Sequence, residues 1–449
     1  MRNTQGFPPG PMRRLIPLLF CLTACISGGQ RPSTTSVVPT TSTGTSATET
    51  KAASTSNQHE PLAYTENPTV NVYLETSGSM NGYVDNGKTQ FQQVVFDFLS
   101  NIKNSGLPSE MNLNYVTDRI TPKGNDVNQF INSLTSKGIL QAVGNKGTTD
   151  IAALVTDILQ KTDGSNLSIF ISDCIFSPGS VSSPEAYLEN QKIAIRNAVN
   201  DYIANNYFVA CTVYQVYSQF KGQYFDYKNR PTNIEMQRPF YIWVFGSPAH
   251  IATIKSKVPD ANFMGAPVVN TWTIMSGDFS MFDGLNGYGL LQPSPTNGDY
   301  RWKSQKEVSN IKKTKDGFLF SFGVDLNLPV LLYGKEYATD VRNYRHIVNK
   351  QTNEEFYGTF REDLVKASPY TYDIMVISEK PFGRGDFTIV FDGLVPDWVA
   401  ECNDTDDSVL NAGNSLKTYG FRYMCEGIYA GFHANNTSNI TAQYDFVIK

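Results

Sequence analysis

The chain has 449 residues, 40% hydrophobic and 18% charged, which excludes a wholly disordered chain, a coiled coil and a multi-span membrane protein. Lys plus Arg total 37 against 42 Asp plus Glu, a net of -5, so the basic excess of an electrostatic nucleic-acid binder is missing. At about 150 residues per domain the length accommodates about three segments, and 27 Phe with 24 Tyr favour strands.

Arg13 and Arg14 precede a short apolar run, Leu15 to Leu22, too short to span a bilayer, which ends in Leu22-Thr23-Ala24-Cys25. A Leu, two small residues and a Cys after such a run resemble the lipobox of a bacterial lipoprotein signal peptide. The resemblance implies that residues 1–24 are removed and that Cys25 carries the lipid, with an outer membrane or cell surface as destination. A cleaved secretory signal without lipid is the alternative, and Met12 is a second candidate start. Loss of residues 1–24 removes Arg2, Arg13 and Arg14 and no acid, taking the net charge from -5 to -8. Residues 25–66 are dominated by Ser and Thr and cannot bury a core. As a flexible tether they reach roughly 30 to 35 Å from the anchor.

Export also frames the six cysteines. With Cys21 cleaved and Cys25 lipidated, Cys174, Cys211, Cys402 and Cys425 remain in an oxidising compartment. Cys402 with Cys425 is a candidate disulfide, while Cys174 and Cys211 fit either a bridge or small buried thiols. No Cys-x-x-Cys pair exists, and the four histidines are too scattered to suggest zinc.

Residues 67–265 alternate strand and helix signals. Val70–Leu74 reads as a strand, and Phe91, Val94, Val95, Phe98 and Leu99 recur at helical spacing. Leu113–Val116 is a second strand, followed by amphipathic stretches at Val127–Leu134 and Ile151–Leu159. Leu167–Ile171 is apolar apart from Ser168, as a strand buried on both faces can be. A helical segment Pro184–Ala204, strands at Phe208–Val216 and Tyr241–Phe245, and a helix at Ala249–Val258 complete the domain. This alternation predicts an α/β fold with a mostly parallel central sheet, whose ligands bind beyond the carboxyl ends of the strands.

Three such ends carry chemistry: Glu75-Thr76-Ser77-Gly78-Ser79, Lys146-Gly147-Thr148-Thr149-Asp150 and Ser172-Asp173-Cys174. In this order they resemble the von Willebrand factor type A (vWA) domain and its metal-ion-dependent adhesion site (MIDAS), over about 200 residues. The family pattern is Asp-x-Ser-x-Ser, then a Thr, then an Asp ending the fourth strand. Ser77, Ser79, Thr149 and Asp173 stand at matching positions, and Glu75 stands where the first Asp is expected. The resemblance implies a Rossmann-like domain binding Mg²⁺, or Mn²⁺ or Ca²⁺, with a protein partner completing the shell through a carboxylate. Hydroxyls plus one or two carboxylates suit a hard cation that keeps some of its waters. Glu75 is longer than Asp by one carbon, roughly 1.5 Å, which sets a water-mediated role against a direct one. Alternatively, Ser77, Ser79 and Thr149 are loop hydroxyls that cap helices.

Residues 266–449 turn to strand alternation, at Val268–Ile274, Phe318–Val324, Val330–Tyr333, Tyr370–Ile377, Phe387–Phe391 and Gln443–Ile448. Phe421, Met424, Cys425, Ile428, Tyr429 and Phe432 fall at helical spacing and predict a helix packed on that sheet. A β-rich α+β or sandwich-like domain is expected. Arg384-Gly385-Asp386 suits a hairpin turn better than an adhesion tripeptide, and Asn403, Asp404, Asp406 and Asp407 suit a solvated loop better than a calcium loop. No G-x-S-x-G, H-E-x-x-H or phosphate loop is present, so the chain is not expected to be an enzyme. The reading that follows is a lipid-anchored envelope protein mediating protein–protein interaction or adhesion through its metal site. A metal-free vWA scaffold is the first alternative, and a metal-assisted hydrolase using Ser77 or Thr149 the second.

Overall fold

The computed structural model describes residues 66–84, 89–140, 150–206, 209–258, 265–276, 292–293, 299–304, 306–325, 337, 339–340, 344–361, 371–391, 395–434 and 442–449. All lie within one compact unit, residues 59–449. The lipobox with Cys25, the Ser/Thr tether, Thr149 and the strand expected at Val330–Tyr333 lie outside the described residues. No described helix is long and apolar enough to cross a membrane.

A seven-stranded sheet organises the first part, in the order β3-β2-β1-β4-β6-β5-β7. Its strands are β1 (Thr69–Glu75), β2 (Glu110–Val116), β3 (Ile120–Pro122), β4 (Asn166–Ser172), β5 (Ala210–Phe225), β6 (Pro231–Gly246) and β7 (Val268–Met275). Parallel pairing is confined to β2-β1-β4, where Val72 lies between Leu113 and Ile169. All other pairings in this sheet are antiparallel, so the expected mostly parallel sheet is corrected to a mixed one. The reason is local. β5 and β6 pair along 16 residues each, and the turn between them closes on Asp226, whose Oδ1 accepts from the N–H groups of Lys228 (3.0 Å) and Arg230 (2.8 Å). Two strands joined by so short a turn can only run antiparallel.

Helices α1 (Gln90–Asn104), α2 (Val127–Ser133), α3 (Ser136–Leu140), α4 (Ile151–Gln160), α5 (Pro184–Asn205) and α6 (Pro248–Lys257) accompany this sheet. Thr89 starts α1 through a capping box with Gln92, and Phe91, Val94, Val95, Phe98, Leu99 and Ile102 form its buried face. Each such side chain contributes about 1.5–3 kcal/mol by leaving water. Ser183 caps α5 by accepting from the Ala186 N–H, and Pro184 follows at the first helical position.

β7 follows residue 266 yet pairs with β5 over Ala210–Val216, so the first sheet continues past the expected domain boundary. Beyond it come β8 (Gln292–Pro293), β9 (Asp299–Ser304), β10 (Glu307–Thr314), β11 (Gly317–Asp325), β12 (Tyr344–Asn349), β13 (Glu355–Arg361), β14 (Thr371–Ser378) and β15 (Gly385–Phe391). α7 (Asp397–Glu401), the short pair β16 (Asn403–Asp404) and β17 (Thr418–Tyr419), α8 (Phe421–Phe432) and β18 (Ala442–Ile448) complete the chain. The second sheet runs β8-β11-β14-β13-β12-β15-β18-β10-β9, and a further β10–β11 pairing closes seven of these strands into a ring. This short pairing makes the sheet nearly barrel-shaped, with β8 and β9 left at its ends, and that shape replaces the expected sandwich. Its core is aromatic: Phe320 stands 5.1 Å from Phe382 and 5.7 Å from Phe446, and Phe387 stacks on Phe446 at 5.5 Å. Arg384 precedes β15, which pairs with β12 and β18 and not with β14, so the expected hairpin turn at 384–386 is a crossing between non-adjacent strands. Asp386 is held there by Gln351, which donates to its Oδ2 at 2.8 Å.

The predicted helix forms as α8, but it packs on α5 and the first sheet. Phe421 stacks on Tyr241 of β6 at 4.0 Å. Gly431 permits the approach to α5, since a Cβ there would lie 2.5 Å from Val199 Cβ. The candidate disulfide is also corrected, because Cys402 and Cys425 are buried free thiols, as are Cys174 and Cys211. Cys425 belongs to the buried face of α8, while the Cys402 thiol donates to the Val399 carbonyl at 3.6 Å and accepts from Tyr241 Oη at 3.9 Å.

Candidate functional site

β1 and β4 run side by side in parallel, so their carboxyl ends deliver Glu75 and Asp173 to the same edge of the sheet. After β1 the chain makes a short 3-10 turn, Ser79–Tyr83, which keeps Ser77 and Ser79 at that edge with their hydroxyl oxygens 3.0 Å apart. Glu75, Ser77, Ser79 and Asp173 are thus brought to one edge of the sheet. Thr149 lies outside the described residues, and its neighbour Asp150 caps α4 by accepting from the Ala153 N–H at 3.0 Å.

Glu75 points inward and accepts a hydrogen bond from the Ser172 hydroxyl, so part of its carboxylate is already occupied. Asp173 is 2% exposed; one oxygen accepts from the Ile175 N–H at 3.3 Å, and the other, Oδ2, has no hydrogen-bond partner among the described residues. Burial raises the Asp173 pKa, and the Ser79 hydroxyl, the Ile175 N–H and the Arg238 charge pull it back. Cys174 follows with φ 55, in the left-handed region that costs a residue with a Cβ of order 1–3 kcal/mol. Its N–H donates to Ser172 Oγ at 2.7 Å, so the strained turn fixes the Ser172 hydroxyl that faces Glu75.

The far halves of β5 and β6 run beyond the carboxyl end of β4, where Ser172 pairs with Tyr241, and form an arm over this edge. Arm and turn touch closely: Tyr83 Oη donates to the Pro239 carbonyl at 2.6 Å, and a Cβ on Gly82 would meet the Phe220 ring at 2.2 Å. The arm is fixed to the start of α1, where Ser218 Oγ accepts from the Phe91 N–H at 3.1 Å.

Sequence reasoning missed the principal charge near the site. Arg238 on β6 is 1% exposed, donates to the Ser415 carbonyl at 3.0 Å, and lies over the Tyr224 ring at 4.7 Å. Burial disfavours its charge, but Tyr224, Tyr83, Asp173 and Asp407 outweigh burial and leave its pKa raised. Asp407 is likewise 2% exposed, accepting from Tyr224 Oη and, at 2.8 Å, from the Tyr227 N–H. The solvated loop expected at 403–407 is corrected at this residue. Burial pushes the Asp407 pKa from 3.8 to about 6. An isolated Arg in an alternating strand carries no signal of such a partner 169 positions away, because only the tertiary fold brings residues 238 and 407 together.

Among the described residues no group of three or more His, Cys, Asp or Glu is placed to hold a metal. A shell at this edge would therefore depend on hydroxyls. Asp173 Oδ2, uncommitted among the described residues, and the paired Ser77 and Ser79 hydroxyls share this edge, a donor set that suits part of a hard cation's shell. Comparison with protein-family models, curated proteins and solved structures gave no match.

Proposed function

We propose that the chain is a lipid-anchored envelope protein whose α/β part is a vWA-like module that binds a protein partner through a divalent cation. Cys25 would carry the lipid, and Ser77, Ser79 and Asp173 would hold the ion, with Glu75 acting through Ser172 or through water. The observation that carries the reading is the buried Asp173 Oδ2, which has no hydrogen-bond partner among the described residues, at the sheet edge that also carries the Ser77 and Ser79 hydroxyls. Leaving such an oxygen uncompensated costs more than 1 kcal/mol, and a bound cation would remove that cost. When bound, Mg²⁺ or a similar ion would supply an electrophilic position for a carboxylate of the partner. The chain's own residues set the approach: Ser77 and Ser79, at 7% and 9% exposed, are more open than Glu75 and Asp173.

Titration calorimetry of Mg²⁺, Mn²⁺ and Ca²⁺ into the full chain, beside Ser77→Ala and Asp173→Asn, tests the reading. Saturable binding that both substitutions abolish is expected. A well-folded chain that takes up none of the three ions overturns it.

The metal-free scaffold is the second reading, and Arg238 favours it. Burial raises the Asp173 pKa, but a buried guanidinium already opposes that rise, as a metal would, and the β5–β6 arm packs on the 3-10 turn. In that reading the module binds through surfaces other than the sheet edge, and chelators leave its interactions unchanged.

A further inference from the structure

We propose that the cleft between α1 and α2 is a binding site for a neutral saccharide. The cleft has a volume of about 390 Å³, within the range of about 300–1,000 Å³ usual for small-molecule sites. Its lining combines Gln93, Asn128, Asn132 and Thr135 with the apolar Phe96 and Ile131, and among the described residues no charged side chain contributes to it.

Each side chain in this set has an available function. Asn128 and Asn132 are exposed and four positions apart, hence one turn apart on the same face of α2. An amide offers two donors and an acceptor, which matches a pair of neighbouring hydroxyls that each donate and accept. Gln93 donates from Nε2 to Asp97 at 2.8 Å, which orients its amide and leaves Oε1 as acceptor. Thr135 Oγ1 accepts from the Gly138 N–H at 3.0 Å and keeps its own O–H to donate. Phe96 and Ile131 are half-buried and supply an apolar wall for the C–H face of a sugar ring.

The wall between the helices is built and not fluid. Gln92 is consumed in holding it: its Nε2 donates to the Leu134 carbonyl beyond α2 while its Oε1 accepts from the Thr89 N–H at 2.9 Å. The two helices are thus tied together by one amide, and the remaining amides stay outward. A charged ligand would lose hydration here without an opposite charge to replace it. An extended peptide would want a strand edge to pair with, and this lining is side chains of two helices and of Thr135 in the loop after α2. A neutral polyol ring satisfies both the amides and the apolar wall.

Saturation-transfer NMR and calorimetry on the full chain would use glucose, N-acetylglucosamine and the N-acetylglucosamine dimer, with glucose 6-phosphate and a neutral trialanine amide as controls. At least one neutral sugar is expected to bind, and Asn128→Ala with Asn132→Ala is expected to weaken it about tenfold or more. Both asparagines are exposed and Ala favours a helix, so the double variant keeps its fold. Phe96→Leu, which retains apolar volume and removes the ring, is expected to weaken binding by a smaller factor. The proposal is overturned if no neutral sugar binds, if binding survives the double variant unchanged, or if the trialanine amide binds in place of the sugars.

Discussion

Both the α/β part and the β ring bury apolar cores, but among the described residues only the former also buries charged groups. The ring is filled by phenylalanines in mutual contact, whereas the α/β part encloses Glu75, Asp173, Arg238, Tyr224 and Asp407 within a few turns of one sheet edge. An apolar core is tolerant, since removing a side chain costs packing and burial alone. A buried polar network is less forgiving, because each member depends on the charge or hydrogen bond of the next. The contrast sets an apolar core against a buried charged network, and it yields measurements that separate the two.

The largest effect is expected from Arg238→Met. It leaves Asp173 and Asp407 buried without their cation, and chemical denaturation should record a loss of about 3–5 kcal/mol. A loss below 1 kcal/mol would mean that the network is wetter than its burial implies. Phe387→Ala in the ring should cost about 3 kcal/mol, while leaving calorimetric cation binding at the α/β edge unchanged. Parallel loss of cation binding would show that the two regions are energetically one.

Asp407→Asn sharpens the comparison through pH. The folded pKa is raised from 3.8 to about 6, so the native state holds a proton that the unfolded chain releases. The associated stability is fully present below about pH 4 and is lost as pH rises through about 6, a change of about 3 kcal/mol at 1.36 kcal/mol per unit. Denaturation profiles between pH 4 and 7 should fall for the natural chain and stay flatter for the variant, whose single amide oxygen still accepts from the Tyr227 N–H while its NH2 group faces Tyr224 Oη. Equal slopes would place the Asp407 carboxylate in water. The smallest effect is expected for Ser183→Ala, which removes the cap of α5 and should cost about 1 kcal/mol in the same assay.

Legibility followed locality. Mostly apolar runs identified β1 and β4, each with one polar residue inside it, and the spacing of Phe91 to Leu99 identified the buried face of α1. Four of the five motif residues were placed together because strand ends on adjacent parallel strands converge, whatever their separation along the chain. The arm was missed: residues 217–225 and 231–240 alternate or mix polar and apolar positions and give no continuous run, although they pair without interruption. Asp407 was read as solvated because an acid-rich loop usually is, and its burial comes from Tyr224 and Tyr227 on that same arm.

Residue order alone therefore settled the strand–helix alternation and the buried faces of α1 and α8. These follow from periodicity, which is a property of short windows. Tertiary structure decided the direction of β5 and β6, the attachment of α8 to α5, the free state of Cys402 and Cys425, and the closure of the ring by β10 and β11. Those outcomes depend on which distant surfaces meet, and the free energy of such meetings is shared among residues hundreds of positions apart.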